Sequence, residues 1–273
     1  MNLTDRLIDA LSMIRARARV DRLAHAPPPV FVVGTGRSGT HWVGYILDSH
    51  PDILVTVERP PMFQWVKQMA LDPSLVPALL PRLVGRYSAY RCLAAPRVYA
   101  DKSHPNIWLA DELMAAFPGA RFLGVLRSVR ATVASMLRHR GVLRTIEQWE
   151  RYPLPNRFLG IDEGVADRYR DMSLVERCAL RWVAHANRLD ELAARLPAGN
   201  FLRLNYDAMA TDPTLELQKL QEFLALDKPF PPVDVKRDAL EKWRSQLSVD
   251  DLLAIDAVVD RYRNTPAGDH RDG

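Results

Sequence analysis

Three groups of residues in this 273-residue chain carry chemistry by type and spacing. The first is FVVGTGRSGTHW, Phe31 to Trp42, where an apolar run meets Gly34, Gly36 and Gly39 and then Arg37, Ser38, Thr40 and His41. A strand, a glycine turn and a helix N-terminus together make an anion site, because unpaired backbone N–H groups and the helix dipole point at the ligand. The arginine and the hydroxyls add donors for a phosphate or sulfate. The second group, VLRSVRATVASMLRH, places Arg127 at the end of an apolar run and Ser135 eight residues on. Eight residues are about two helical turns, so both side chains can face one ligand. The third is a pair of candidate bases. Glu58 ends the apolar run Ile53 to Val57, and His104 sits in YADKSHPNIW beside Lys102; an ordinary histidine pKa of about 6.5 suits proton transfer at neutral pH.

The glycine loop alone is compatible with more than one phosphate. Gly34, Gly36 and Gly39 fit the G-x-G-x-x-G of a dinucleotide site, and Glu58, nineteen residues after Gly39, stands about where a ribose-binding carboxylate belongs. That reading leaves Arg37 and Ser38 unused. A kinase or ATPase loop needs Lys and then Ser or Thr after the last glycine, to reach the terminal phosphates and hold magnesium. Thr40 and His41 stand there instead.

These residues need elements to bring them together. Val30 to Val33, Ile53 to Val57, Val98 to Ala100 and Phe122 to Leu126 are short apolar runs that read as strands, with Phe201 to Leu204 as a fifth. Helical patterns separate them: Thr40 to Ser49, Ile107 to Ala116, Val129 to His139, and Leu174 to Leu196, which opens on the capping box Ser173 to Glu176. Apolar strands alternating with helices predict a parallel sheet covered on both faces. Asp212 and Pro213 supply an N-cap and first-turn proline for Leu215 to Leu224, and Ser248 caps a last helix near Val249 to Tyr262. Leu3, Leu7, Leu11 and Ile14 predict an amphipathic first helix within residues 1–26, packed on the domain or lying on a membrane or partner. Residues 141–172, containing YPLPNRFLG, read as a long irregular insert of the kind that forms lids and substrate loops, and 264–273 as a frayed polar tail.

With 48% hydrophobic residues the chain can bury a substantial core, and no linker divides it. Lys and Arg number 37 against 33 Asp and Glu. The net +4 suits small anionic ligands, and no basic run of the nucleic-acid-binding kind is present. Cys92 and Cys178 stand far apart, which implies neither a disulfide framework nor a zinc site and points to a reducing compartment. The lack of a signal-like start or a long apolar run predicts a soluble, cytoplasmic protein without a membrane span.

The segment Arg37-Ser38-Gly39-Thr40, closing without the P-loop lysine and followed closely by Trp42, resembles the 5′-phosphosulfate loop of sulfotransferases. Those enzymes take a sulfuryl group from 3′-phosphoadenosine-5′-phosphosulfate, PAPS. Arg127 and Ser135 match the Arg and Ser of the family's 3′-phosphate motif at its spacing. LRLNYDAMATDP is similar to the family's Tyr-Glu-Asp-Leu segment, which puts Tyr206 near the adenine, with Asn205 and Asp207 replacing usual neighbours. DALEKWRSQLS resembles its C-terminal Lys-Trp segment, where Lys242 would reach the 3′-phosphate end as in the tyrosylprotein branch. Glu58, twenty-one residues past Arg37, has an offset similar to that branch's catalytic glutamate, and Lys102-Ser103-His104 stands where the cytosolic branch has Lys-Thr-His. His41 departs from the usual second threonine.

The resemblance, from about Val30 to Tyr262, implies an α/β fold of the three-layer, P-loop-NTPase-like kind. A central parallel sheet of about five strands would be flanked by helices in a single domain over residues 1–273. It implies in-line transfer from PAPS to a hydroxyl, or an amine, leaving adenosine 3′,5′-bisphosphate and needing no metal. Arg37 and the Thr40 backbone would serve the leaving group, with Ser38, Gly39, His41 and Trp42 completing the loop. Glu58 would be the base, with His104 orienting the acceptor or replacing it; Lys102 would steady the sulfuryl oxygens, unless it pairs with Asp101. Trp65, Trp149, Tyr152 and Phe158 are candidates for an acceptor pocket suited to a small-molecule, carbohydrate or lipid alcohol. Two other classes stay open. A non-catalytic adenosine-bisphosphate sensor would need Arg37, Arg127 and Ser135 but neither base, and an NAD-dependent oxidoreductase would use Glu58 and ignore Arg127.

Overall fold

The computed structural model describes residues 26–263 except 236, together with 21 and 23. The predicted amphipathic helix at Leu3 to Ile14 and the predicted tail 264–273 lie outside the described residues. Five strands form one sheet: β1 (Val30–Gly34), β2 (Ile53–Val57), β3 (Val98–Lys102), β4 (Arg121–Leu126) and β5 (Phe201–Asn205). Every pairing is parallel, in the order β2-β3-β1-β4-β5. β1 is buried throughout, and its alternation builds two layers of core. Phe31 and Val33 pack with Tyr87, Phe117 and Leu189, while Val30 and Val32 pack with Val43, Leu47, Met209 and Leu220. Helices therefore cover both faces, as the apolar strand runs require.

The five predicted strands are the observed ones, and β3 runs furthest beyond its apolar run. Its last residues, Asp101 and Lys102, are fully buried polar groups, which an apolar pattern does not register. Strand alternation sends them to opposite faces. Asp101 accepts hydrogen bonds from Thr56 Oγ1 (2.7 Å), Tyr87 OH (3.0 Å) and Asn106 Nδ2 (3.1 Å). Burial still lifts its carboxyl to about 6 against these bonds.

The predicted helices appear as Thr40–Asp48, Ala110–Ala116 behind a 3-10 turn His104–Leu109, Val129–Leu137, Leu174–Arg195, Thr214–Leu224 and Val249–Tyr262. Asp212 does hold an N–H, that of Thr214 at 3.0 Å, but Pro213 precedes the helix instead of starting it. Ser173 and Glu176 form the reciprocal capping box, and Ser248 forms another with Asp251. Ser173→Ala is expected to cost about 1 kcal/mol by orphaning the Glu176 N–H, read as a lower urea midpoint at unchanged slope.

One expectation needs correction, and two helices went unread. Residues 141–172 are not an irregular insert: they contain helices Arg140–Glu147 and Glu163–Tyr169 and the turn Trp149–Arg151. Trp149, Phe158, Ile161, Val165 and Tyr169 from this stretch are buried in a shared core with Trp182 and Val183 of Leu174–Arg195. Helices Met62–Leu71 and Val76–Ala94 have no counterpart in the sequence reading. Pro60, Pro61, Pro73, Pro77 and Pro81 punctuate that region as a loop would. Pro77 falls in a first turn, where a missing N–H costs nothing, and Pro81 is carried inside the helix. Among the described residues, no helix is long and apolar enough to cross a membrane.

Candidate functional site

Parallel strands deliver the residues after them to one edge of the sheet, and ligands of such sheets bind outside those carboxyl ends. β1 ends at Gly34 and leads into the glycine loop, β2 into Glu58, β3 into Ser103 and His104, β4 into Arg127, and β5 into Tyr206. The strand order doubles back around β1, so the loop sits between the edges that carry Glu58 and His104 on one side and Arg127 and Tyr206 on the other.

The loop is built for close approach. Helix Thr40–Asp48 starts at Gly39 with no side-chain cap, which leaves its first-turn N–H groups to a ligand. Gly39 has φ of 91°, and a Cβ there would run into the Tyr206 ring. At Gly34, with φ of 147°, a Cβ would meet Val125 O at 2.6 Å. Ser38 is buried and donates its hydroxyl to Thr35 O at 2.6 Å, so it ties the turn together. Arg37 is exposed at φ of 80° and Glu58 stands at φ of 44°, both left-handed conformations that cost a non-glycine residue about 1–3 kcal/mol. Such strain persists only where the surroundings impose it, and here it falls on two candidate site residues.

On the β4 and β5 side, Arg37 Nε donates to Ser135 Oγ at 3.1 Å, across 98 residues of sequence. Arg127 lies over the Tyr206 ring at 4.5 Å and donates to Ala239 O at 2.6 Å. Tyr206 in turn meets Trp42 edge-on at 5.4 Å. Arg37, Trp42, Arg127, Ser135 and Tyr206 thus gather at one end of the sheet. Lys242 is exposed in the turn Lys242–Ser245, next to Trp243, whose ring meets Arg130 at 5.6 Å.

On the β2 and β3 side, one carboxylate collects three nitrogen partners. Lys102, fully buried, pairs with Glu58 Oε1 and donates to His41 Nδ1 at 2.9 Å. His104 Nδ1 lies 3.2 Å from the same Oε1, and His41 Nε2 is 3.5 Å from Oε2. Asp101 is engaged on the other face, so Lys102 belongs to Glu58. Gly44 makes room for the Lys102 stem, since a Cβ there would lie 3.2 Å from its Cγ. Burial pushes the Glu58 carboxyl up, but the hydrogen bonds and charge of His104 and Lys102 outweigh it and hold it at about 2. Burial brings His104 down to about 3 despite Glu58 beside it, so at neutral pH the imidazole is neutral and the carboxylate ionised. With Nδ1–H given to Glu58, the bare nitrogen is Nε2, which a Cβ on Gly36 would approach to 3.0 Å.

A cavity of about 210 Å³ opens between these groups, lined by Gly36, Arg37, Thr40, Glu58, Lys102 and His104. It is also lined by residues that the sequence reading did not single out, chiefly Phe63, Lys67, Thr145 and Arg181. Of the four aromatic candidates, Phe158 alone lines this cavity. Trp149 and Tyr152 belong to the core around Tyr169, and Trp65 to the core beneath β1. Arg181 had one visible signal: it stands in CALRWVAHA, a run that is apolar apart from Arg181 and His185. Among the described residues, no group of three or more His, Cys, Asp or Glu could hold a metal.

Comparison with known proteins adds family information to this geometry. A model of the sulfotransferase family matches residues 78–231, more than half of the chain, taking in Lys102, His104, Arg127, Ser135 and Tyr206. A putative protein-tyrosine sulfotransferase of Caenorhabditis briggsae is 26% identical over 124 residues, covering 40% of this chain and 42% of that protein. The chain thus spans less than half the length of that curated relative. Among solved structures, the sulfotransferase domain from the curacin biosynthetic pathway superposes with a TM-score of 0.58 at 15% identity, over 86% of this chain and 97% of that one. Mouse sulfotransferase SULT7A1 complexed with PAP gives 0.50 at 15% identity, over 88% and 86%. At such identities the likeness is one of fold.

Proposed function

This chain belongs to the sulfotransferase family, and from that premise we propose that it moves a sulfuryl group from PAPS to an acceptor hydroxyl, with Glu58 and His104 acting as one proton-handling pair. The observation that carries the reading is the position of His104. Its Nδ1 is held by Glu58 and its Nε2 lies against Gly36 of the anion loop, on the wall of the cavity. When bound, PAPS supplies the activated sulfuryl group. The residues present suit that ligand: uncapped N–H groups, and the cations Arg37, held by Ser135, and Arg127, stacked on Tyr206.

Both candidate bases then have work, in series. Glu58 Oε1 is already engaged by Lys102 and His104 and is not free to take a hydroxyl proton, whereas it can fix the His104 tautomer and face the imidazolium that forms. His104 Nε2 accepts the acceptor's proton as the new S–O bond forms and the sulfur–oxygen bond to the 5′-phosphate breaks. Arg37 and the Thr40 backbone N–H stand on the phosphate left behind, and Lys102 balances Glu58 while facing the cavity.

Thermal shift with adenosine 3′,5′-bisphosphate, ATP and NAD side by side tests the donor. A ligand at 100 times its Kd stabilises by about 2.7 kcal/mol, so the bisphosphate is expected to raise the Tm by several degrees and NAD to leave it unmoved. Stabilisation by NAD alone would overturn the reading. Turnover of PAPS, followed in the same preparation, separates an enzyme from a bisphosphate sensor.

A further inference from the structure

Arg181 and Lys67 are two cations on the cavity that Glu58 does not pair; Arg181 Nη2 stands beside His104 Nε2, 3.5 Å from where a Cβ on Gly36 would lie. Arg181 is 3% exposed, on helix Leu174–Arg195. Among the described residues its Nε has no hydrogen-bond partner and its Nη1 meets only the Met136 sulfur at 3.7 Å, while its guanidinium covers the Phe158 ring at 4.6 Å. Lys67, half-buried on helix Met62–Leu71, donates to Thr145 Oγ1 at 2.9 Å. Neither forms an ion pair among the described residues, although a buried cation ordinarily has a carboxylate.

The balance of charge around the cavity points the same way. Among the described residues, four lysines and arginines line it, Arg37, Lys67, Lys102 and Arg181, against the single carboxylate Glu58, which Lys102 already faces. Phe63, packed 5.9 Å from the His104 ring, and Phe158, under Arg181, line the same cavity and supply flat apolar surface. A buried guanidinium with free N–H groups and an ammonium next to a threonine hydroxyl suit a planar oxyanion.

Resting on the sulfuryl-transfer reading, we propose that Arg181 and Lys67 form an acceptor subsite for a carboxylate, so that the substrate is a small hydroxy acid, or a larger molecule ending in one, with its hydroxyl at His104. The carboxylate completes the charge of the wall, and the apolar part between carboxylate and hydroxyl lies against Phe63 and Phe158. The cavity, about 210 Å³, is below the roughly 300–1,000 Å³ of drug-sized ligand sites, which limits what enters to a ring or a short chain.

The test uses the full chain with adenosine 3′,5′-bisphosphate bound, and that binding is measured first, because its absence refutes the sulfuryl-transfer reading and not the subsite. Calorimetry then compares 4-hydroxybenzoate and 3-hydroxyoctanoate with their neutral amides, and PAPS turnover is followed with the same four compounds. The acids are expected to bind at least tenfold tighter than the amides and to be preferred in kcat/KM. Lys67→Gln, on a half-buried residue, is expected to remove at least tenfold of that preference by raising the acid's KM, with the bisphosphate Kd held within twofold. Arg181→Lys is expected to do the same where it folds. Acids and amides binding alike would overturn the proposal, and so would a Lys67→Gln effect falling on the bisphosphate Kd instead of the acid, which would assign that lysine to the donor.

Discussion

His104→Ala is expected to lower kcat for sulfuryl transfer by about 10²- to 10⁴-fold, the usual worth of a positioned proton acceptor, with little change in bisphosphate affinity. The nitrogen that faces the loop is lost while the anion loop stays as it is. Glu58→Gln is expected to give a comparable loss without removing that nitrogen. A glutamine amide can still meet Nδ1, but it no longer fixes the tautomer or balances the imidazolium, and it leaves the buried Lys102 without its counter-charge. The two variants separate the roles. A dead Glu58→Gln beside a His104→Ala within tenfold of wild type would make Glu58 the base itself; full activity in Glu58→Gln would remove it from the mechanism.

The pH profile supplies an independent readout. Both pKa values are depressed, Glu58 to about 2 and His104 to about 3, so each group is in its working form above these values and is lost only as pH falls through them. The acid side of kcat/KM is therefore expected to be flat from pH 8 to 5. An ordinary histidine would halve activity near 6.5, and a midpoint there would overturn the neutral, Glu58-bound imidazole. For stability the two groups have opposite signs. The unfolded chain protonates His104 below 6.5 while the folded one does not, so burying it neutral costs nothing above 6.5 and costs progressively more as the pH drops toward 3. The Glu58 contribution is complete above its ordinary 4.5 and is lost as the pH falls from there through 2.

Gly39→Ala is expected to be the most damaging change in the loop. An alanine at φ of 91° is strained, and its Cβ cannot coexist with the Tyr206 ring where it stands. Strain and forced repacking together are expected to cost about 2–4 kcal/mol, a fall of roughly 5 °C or more in Tm. The loss goes beyond stability, because Tyr206 carries the Arg127 guanidinium and meets Trp42 edge-on. Moving the ring moves the cation, so bisphosphate affinity is expected to fall at least tenfold by calorimetry. Tyr206→Leu in the Gly39→Ala background is the control. It relieves the collision and is expected to recover stability without recovering affinity.

Much of the architecture was legible because it rests on short-range rules. Five apolar runs, separated by helical patterns and capped by Ser173 and Ser248, needed only periodicity and capping chemistry to be found. Residues in which burial and polarity disagree were not legible. Asp101 and Lys102 end a strand yet are polar, and their burial is possible only because Thr56, Tyr87 and Asn106 on one face and Glu58 on the other satisfy them. Helices Met62–Leu71 and Val76–Ala94 went unread behind their prolines, since tertiary packing of Leu83, Tyr87 and Tyr90 overrides local preference. The segment 141–172 misleads in the same direction, its prolines concealing helices that bury Val165 and Tyr169.

For the site, the sequence alone determined the kind of chemistry. A glycine loop carrying Arg37 without a following lysine, a distant Arg127 and Ser135 at helical spacing, and two candidate bases at strand ends are all properties of residue type and interval. The tertiary structure decided which of those groups touch. Whether Glu58 or His104 meets the acceptor depends on which nitrogen is already bonded, and that depends on β2 and β3 lying side by side in register, Val57 opposite Lys102. Arg181 and Lys67 come together from helices more than a hundred residues apart, one of them unrecognised in the sequence. Spacing along a chain constrains only neighbours on one element; a charge without a partner becomes visible only when every element that could have supplied one is in place.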